Sequence, residues 1–239
     1  SLKKKGSIYS WYASKRIASA IFVTETKDKA INYLEREIKK IPDPDYYNYY
    51  DLANFLKANK EYKEAIKYYS MSLKKIELGH YLISDILENR GACYERLGMW
   101  KEGEQDLKES LRLSPDQPYV LNYLAYSWLE KKINIDEALV MLKKANKIKK
   151  DDAYIIDSLG WGFYLNANYL KAEKLLRRAN ELMPFDPIVS DHYGDILWKL
   201  NKNLQARYFW KQALNLEKTD KEFMDKVSQK LIFGLIDES

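Results

Sequence analysis

The chain has 239 residues, of which 46% are hydrophobic and 31% charged, with only 9 Gly and 6 Pro. This composition excludes disordered and low-complexity proteins and favours long helices. The net charge of +5 is spread along the sequence, so charge alone gives no reason to expect a nucleic-acid partner. No apolar run reaches the roughly 18 residues of a membrane span. The single cysteine, Cys93, cannot form an internal disulfide, which fits the cytoplasm and also a periplasmic protein held together by helices.

The start of the chain shows no apolar signal segment, because Ser1 and Leu2 are followed directly by lysines. Ser1 in place of Met indicates an excised or processed piece, so an upstream signal or lipid anchor would lie outside this sequence. The first helix pair is predicted at about 11–44. Its pattern is the weakest, since it has small residues at Ala18 and Ala30 but no glycine turn.

Five further helix pairs and a closing helix are predicted along the rest of the chain. Their approximate bounds are 46–79, 84–117, 118–152, 153–186 and 187–218 for the pairs and 220–234 for the closing helix. A short insertion near Gly79 separates the second pair from the third. We therefore predict one array over residues 1–239, an all-α, right-handed solenoid of stacked antiparallel helix pairs with a C-terminal capping helix.

Three series of small residues carry this prediction. The first recurs every 34 or 35 residues with one gap of 38, at Ala30, Ala65, Gly103, Ala138, Ala172 and Ala206. The second precedes it by 12 or 13 residues, at Ala18, Ala53, Gly91, Ala125, Gly160 and Gly194. We expect these two series to face each other within a pair, so that the helix axes approach closely. In the third series, seven residues after the first, small side chains should leave room for the first helix of the next pair. This series comprises Ser72, Ser110, Ala145, Ala179 and Ala213.

Residues that begin and end helices agree with these boundaries. Gly98 is predicted to end a first helix, meaning the N-terminal helix of a pair. Pro118 and Pro187 suit the first position of a helix, and Asp186 suits the N-cap that precedes it. Pro115 stands where a second helix should stop.

One stretch carries nearly all of a known consensus: Leu159, Gly160, Phe163, Tyr169, Ala172, Leu176, Ala179 and Pro184. In this pattern the chain resembles the tetratricopeptide repeat (TPR) family. Segments 120–128, 154–161 and 190–195 also resemble the C-terminal part of proteobacterial proteins with many such repeats. Members of that family commonly begin with a secretion or lipoprotein signal, and relatives act as adaptors for envelope proteases or cell-wall enzymes. The resemblance implies a bacterial adaptor in the periplasm or envelope, with the cytoplasm as the alternative.

In such arrays the first helices line the concave face. The positions that point into this groove predict an aromatic and acidic peptide-binding surface, formed by Tyr119, Asn122, Tyr123, Tyr126, Tyr154, Asp157, Ser158, Trp161, Asp191, His192, Asp195 and Trp198. The same positions include Leu129. Rigid aromatic rings offer contact area at low entropy cost, and polar groups between them can bond a peptide backbone. The alternative at each position is packing against a neighbouring helix.

Some eukaryotic relatives hold a C-terminal carboxylate with Lys, Arg and Asn side chains. Asn54 and Asn89 fall at two of the matching places, and we predict both as binding residues. Tyrosines stand where that clamp needs cations, at Tyr50, Tyr119 and Tyr123. A tyrosine carries no positive charge, so capture of a free acidic tail is not expected.

No catalytic site or cofactor is predicted. The sequence has two histidines, His80 and His192, and one cysteine, so it lacks metal-ligand spacing and a cysteine–histidine pair. Gly160 and Gly162 lie inside a predicted helix and follow no strand, unlike a phosphate-binding loop. Cys93 suits a small apolar filler.

The sequence thus predicts a scaffold or adaptor that binds a protein or peptide and performs no catalysis. One alternative is a structural part of a larger or self-associating protein. Another is a basic outer surface, formed by lysines and arginines of the second helices, that binds nucleic acid or anionic lipid. Acidic residues are interleaved with these cations, which favours ordinary solvation of the outer face.

Overall fold

A computed structural model describes residues 2–217 and 220–235, with side chains from Ser10 onward. These residues form thirteen helices and no strand. The helices are α1 (Leu2–Thr24), α2 (Lys27–Lys39), α3 (Tyr46–Ala58), α4 (Tyr62–Lys75), α5 (Leu82–Arg96), α6 (Trp100–Leu113), α7 (Pro118–Glu130), α8 (Ile135–Ile148), α9 (Ala153–Leu165), α10 (Tyr169–Leu182), α11 (Pro187–Lys199), α12 (Asn203–Leu216) and α13 (Lys221–Phe233). Within the described ranges, no helix is both long and apolar enough for a bilayer crossing.

Several helices begin at a polar side-chain cap or at proline. Asp45 caps α3 through its side chain and is itself bonded by Asn48, so each residue satisfies a backbone N–H of the other. Asp186 accepts hydrogen bonds from two backbone N–H groups of α11, as the sequence predicts. Pro118 and Pro187 open their helices, also as predicted.

Five first helices end in a residue with left-handed backbone. Gly98, with φ of 74°, holds this place after α5 and confirms the predicted glycine stop. At the other four turns the residue has a side chain, and φ lies between 53° and 64°, at Lys60, Lys132, Ala167 and Asn201. A non-glycine residue in this conformation costs about 1 kcal/mol or more, so these turns are strained where glycine is absent.

The small residues of the first two series meet within helix pairs. The carbonyl oxygen of Gly91 in α5 lies 2.9 Å from where a Cβ of Gly103 in α6 would stand. In α9, a Cβ on Gly160 would lie 2.7 Å from Cγ of Leu176 in α10. The alanines of both series are fully buried. The close helix contact expected from the sequence is therefore present.

The third series behaves differently from its prediction. Ser72 donates a hydrogen bond to the Tyr46 carbonyl, and Ser110 bonds Ser84, so both serines contact the first helix of their own pair. Ala179 packs with Val189 of the following pair, as expected, and also with Ile156 of its own. Ala179 of the third series therefore contacts both neighbouring first helices.

The chain divides into two compact units, unit 1 (Ser1–Pro115) with α1–α6 and unit 2 (Asp116–Ser239) with α7–α13. Within each unit, adjacent helices pair and consecutive pairs stack, which makes the fold an all-α solenoid. In unit 2 the closing helix α13 packs against α12. The largest fully buried side chains include Tyr69 in unit 1 and Trp210 in unit 2.

Candidate protein-binding surfaces on the first helices

The centre of unit 2 holds a buried ion pair between two predicted binding residues. Nδ1 of His192 in α11 lies 2.9 Å from Oδ2 of Asp157 in α9, and each side chain is 7% exposed. Burial alone would lower the pKa of His192, but Asp157, Asp191 and Asp195 together outweigh it and raise the pKa to about 8. The imidazole stacks on Trp161 at 4.2 Å and 10°. These three side chains form one packed cluster.

Buried polar atoms without a hydrogen-bond partner concentrate on the first helices of unit 2. Within the described part of the chain there are four such atoms: Asn146 Oδ1 lies on the second helix α8, and the other three lie on first helices, Asn122 Oδ1 on α7 and Asp157 Oδ1 and Trp161 Nε1 on α9. These last three residues were predicted to bind peptide. An unpaired polar atom of this kind costs about 1–3 kcal/mol, so its occurrence calls for an explanation.

The closing helix covers the acidic residues of α11. Nζ of Lys230 lies 2.7 Å from Asp191 Oδ2 and 2.8 Å from Asp195 Oδ2. Asp195 also accepts a hydrogen bond of 2.8 Å from Nε1 of Trp210. Burial and the neighbouring Asp191 raise the pKa of Asp195 to about 6 in spite of Lys230. The predicted acidic character of this groove is thus balanced by an ammonium group from the same chain.

Further contacts hold the end of α13 against α11 and α12. The guanidinium of Arg207 donates to the Leu231 carbonyl at 3.1 Å and lies 5.0 Å from the centre of the Trp198 ring. Gly234, with φ of 79°, packs directly on Trp198, where no Cβ would fit. Trp198, Asp191 and Asp195 are therefore covered by the closing helix.

Other predicted residues of unit 2 range from open to buried. Tyr119 is 51% and Tyr154 59% exposed. Tyr119 donates a 3.0 Å hydrogen bond to Asp152. Ser158 is buried and bonds the Tyr154 carbonyl. Leu129 is 1% exposed, so its predicted place in the groove is wrong, because its side chain packs into the core.

The two remaining tyrosines of α7, Tyr123 and Tyr126, are half-buried. Burial raises the pKa of Tyr126, with Glu130 and Asp157 acting in the same direction. Its ring centre lies 6.4 Å from that of His192. Tyr126 therefore borders the cluster of Asp157, Trp161 and His192.

In unit 1, the two predicted asparagines have partners within the chain. Asn54 accepts a 2.6 Å hydrogen bond from the Tyr69 hydroxyl. Asn89 accepts one of 2.6 Å from Nζ of Lys57 and donates to the Asp85 carbonyl. A ligand at either amide would compete with these bonds.

A pocket in unit 1 was missed by the sequence interpretation. It has a volume of about 350 Å³ and is lined by Trp11, Tyr12, Lys15, Asp45, Tyr46, Tyr47, Asn48 and Asp51. The signal was available, because Tyr12 and Tyr47 stand at the second place of their predicted pairs, as Tyr119 and Tyr154 do.

The described residues contain no group of three His, Cys, Asp or Glu side chains placed to hold a metal ion. Cys93 is fully buried in α5, and burial raises the pKa of its thiol to about 11. A thiol of that pKa stays protonated near neutral pH and is a poor nucleophile. His80 bonds the Tyr46 hydroxyl at 3.2 Å.

No protein-family model matches the chain. A TPR repeat-containing protein of Pseudomonas aeruginosa is 28% identical over 168 residues, which are 70% of this chain and 28% of that protein. Among solved structures, a tetratricopeptide repeat protein from Parabacteroides merdae superimposes with a TM-score of 0.74 at 18% identity, covering 93% of this chain and 86% of that one. The chain is built from tetratricopeptide repeats.

Another solved TPR structure, YrrB, has been described as having an unusual peptide-binding site. It matches with a TM-score of 0.59 at 16% identity, over 82% of this chain and 97% of that one. Likeness at this level of identity concerns the fold. The TPR chain described here spans about 28% of the length of its Pseudomonas relative, so it corresponds to one part of that protein.

Proposed function

We propose that this TPR chain is a non-catalytic protein-interaction scaffold, and that the first helices of unit 2 bind an extended polypeptide segment. The observation that carries the proposal is the group of three buried, unpartnered polar atoms on α7 and α9. The repeat fold supports the general role, since stacked helix pairs create extended binding surfaces. The predicted single array of six pairs is part of the same proposal.

The three atoms match the chemistry of a peptide backbone. Oδ1 of Asn122 and Oδ1 of Asp157 can each accept a hydrogen bond from a peptide N–H, and Nε1 of Trp161 can donate to a peptide carbonyl. The half-exposed rings of Tyr119 and Tyr154 supply rigid contact area nearby on the same two helices. Because these atoms are shielded from solvent, a segment reaches them only by displacing the side chains that cover them, and it then satisfies groups that the unliganded chain leaves unpaired.

The acidic residues of α11 suggest what limits binding there. Because Asp191 and Asp195 already hold Lys230, a basic partner residue would have to displace the end of α13. We place the primary contacts at α7 and α9 for this reason, with Asp191, Asp195 and Trp198 available only after α13 moves.

A selection from a displayed peptide library on the immobilised chain tests the proposal, followed by measurement of Kd by fluorescence polarisation. Trp161→Phe keeps the stacked ring and removes the N–H donor. We expect it to weaken the selected peptides by up to about tenfold, the value of one hydrogen bond. Trp100→Phe, in unit 1, is the matched control and should leave Kd unchanged. Peptides that bind Trp161→Phe as tightly as the wild type would contradict the proposal. A selection that yields no peptide would contradict it too.

Two further measurements separate the two alternatives. A self-associating scaffold would show a sedimentation coefficient that rises with concentration and falls back in a Tyr119→Ala, Tyr154→Ala double variant. A basic outer surface would bind DNA or anionic vesicles with strong salt dependence and would be unaffected by Trp161→Phe.

A further inference from the structure

The pocket in unit 1 combines aromatic walls with carboxylates, which is the chemistry of a cation site. Its aromatic lining comes from α1 and α3 and consists of Trp11, Tyr12, Tyr46 and Tyr47. The pocket volume of about 350 Å³ is at the lower end of the range for small-molecule sites and is ample for one side chain. It lies on other helices than the surface proposed for peptide binding in unit 2.

Two of the aromatic side chains that line the pocket are held by hydrogen bonds, and the other two are exposed to solvent. Trp11 is 4% exposed, and its Nε1 donates a 3.1 Å hydrogen bond to Oδ2 of Asp51. Tyr46 is held by His80 and packs edge-on against Tyr47 at 5.8 Å. By contrast, Tyr12 is 59% and Tyr47 46% exposed. Exposed aromatic faces attract cations through their quadrupoles.

The carboxylates each keep one oxygen available. Oδ2 of Asp51 accepts hydrogen bonds from Trp11 and Lys15. Oδ1 of Asp45 accepts one from the backbone N–H of Asn48. No described donor lies within hydrogen-bond distance of Asp51 Oδ1 or Asp45 Oδ2. Lys15 neutralises one of the two charges, which leaves the pocket lining with a net negative charge.

We propose that this pocket binds an arginine side chain of a polypeptide partner. The guanidinium is planar, so it can stack on the Tyr12 and Tyr47 rings and at the same time direct N–H groups at Asp45 and Asp51. A purely apolar side chain would desolvate these carboxylates without replacing their hydrogen bonds, which is costly. An acidic side chain would meet like charge. The proposal goes beyond the function assigned to unit 2.

Fluorine NMR on protein labelled with 5-fluorotryptophan tests the proposal. The chain has six tryptophans, and the Trp11 resonance is identified by its loss in Trp11→Phe. The probe is arginine blocked by an acetyl group and an amide. Blocked citrulline, which has the same shape and no charge, is the matched control ligand. We expect a saturable shift of the Trp11 resonance with arginine and none with citrulline.

Three variants assign the shift to the pocket. Tyr47→Ala should weaken arginine binding about fivefold, which corresponds to about 1 kcal/mol. Asp45→Ser should weaken it too, because serine keeps the cap of α3 while the charge is lost. Tyr208→Ala, which removes an exposed tyrosine of α12 that belongs to neither proposed site, should change nothing.

Two results in the wild-type chain and one among the variants would overturn the proposal. In the wild-type chain these are a Trp11 resonance that does not move with arginine and one that moves equally with citrulline. Among variants that melt like the wild type, unchanged arginine affinity in both Tyr47→Ala and Asp45→Ser would have the same effect. Failure of the peptide selection on unit 2 would leave this experiment untouched, so the two proposals can be judged separately.

Discussion

Within each unit, an ion pair joins the first helices of two consecutive pairs at equivalent repeat positions. The order of cation and carboxylate along the sequence is reversed between the two units. In unit 1, Lys15 of α1 meets Asp51 of α3 at 2.8 Å, 36 residues further along. In unit 2, Asp157 of α9 meets His192 of α11 at 2.9 Å, 35 residues further along. The cation precedes the carboxylate in unit 1 and follows it in unit 2. The side chains of Lys15 and Asp51 are 35% and 15% exposed, against 7% for both members of the other pair.

This difference shows that the repeat pattern determines where two polar side chains meet, whereas burial determines what they do. The Lys15–Asp51 pair is screened by solvent and borders an open pocket. The Asp157–His192 pair lies under the Trp161 ring and contains a group that titrates near neutral pH. Unit 1 therefore offers a surface at this junction, and unit 2 a packed polar core.

The largest expected effect comes from removing the cation that completes this polar core. In Lys230→Ala, Asp191 and Asp195 would stay buried without a counter-charge, which costs about 3–5 kcal/mol. We expect a lower midpoint of urea unfolding and faster proteolysis within α13. Lys226→Ala, in the same helix and paired at the surface with Glu222, is the control and should behave like the wild type. Equal loss in both variants would mean that α13, and not the buried pair, is responsible.

Overpacking of a helix pair should have the next largest effect, and here the two units should agree. Gly160→Leu forces side-chain atoms into the space of Leu176 and should destabilise the chain by about 3 kcal/mol. Gly91→Leu, in unit 1, meets the Gly103 carbonyl and should cost at least as much. Lys144→Ala removes only an exposed pair with Asp116 and should change little. Thermal melting compares the three, and a wild-type melting temperature for Gly160→Leu would refute the helix pairing.

The pH dependence of stability should distinguish the two junctions. The folded pKa of His192, about 8, lies above the ordinary value of 6.5. The stabilisation by the protonated imidazole is therefore complete below pH 6.5 and is lost as pH rises through 8, a change of about 2 kcal/mol. Urea unfolding between pH 6 and 9 should show this decrease, and His192→Gln should remove it. Lys15→Gln eliminates no titrating imidazole and should keep the wild-type slope; a flat wild-type profile would contradict the prediction.

Much of the fold could be predicted from local sequence signals. The small-residue series, the Asp186 cap, the proline starts and the Gly98 stop each depend on a short-range steric or hydrogen-bonding requirement. Because these requirements repeat every 34 or 35 residues, a single sequence contains several copies of the same evidence. The third series was less predictable, since Ser72 and Ser110 bond the helix of their own pair.

The candidate sites were harder to predict, because a side chain can bind a ligand only if no other part of the chain already contacts it. Repeat position marks Asp191 and Asp195 as groove residues, but it gives no sign that Lys230, 35 or more residues later, binds both. Trp161 was expected to face a ligand, but its ring stacks on Tyr164 at 4.6 Å and on His192 at 4.2 Å. The contacts of Lys230 with α11 and of His192 with Trp161 join elements that are distant in the sequence, so only the structure reveals them.

The smallest expected effects concern the turns inside the pairs, where the units again differ. Unit 1 uses Gly98 in the left-handed conformation, and unit 2 uses Ala167 at the equivalent turn. Nothing lies within 4 Å of a Cβ added to Gly98, so Gly98→Ala should cost only the backbone strain, about 1 kcal/mol. Ala167→Gly relieves the same strain but gives the unfolded chain more freedom, so the gain should be about 0.5 kcal/mol. Urea unfolding of both variants checks the signs. A loss of stability in Ala167→Gly would show that the methyl group of Ala167 contributes more through its contacts than its conformation costs.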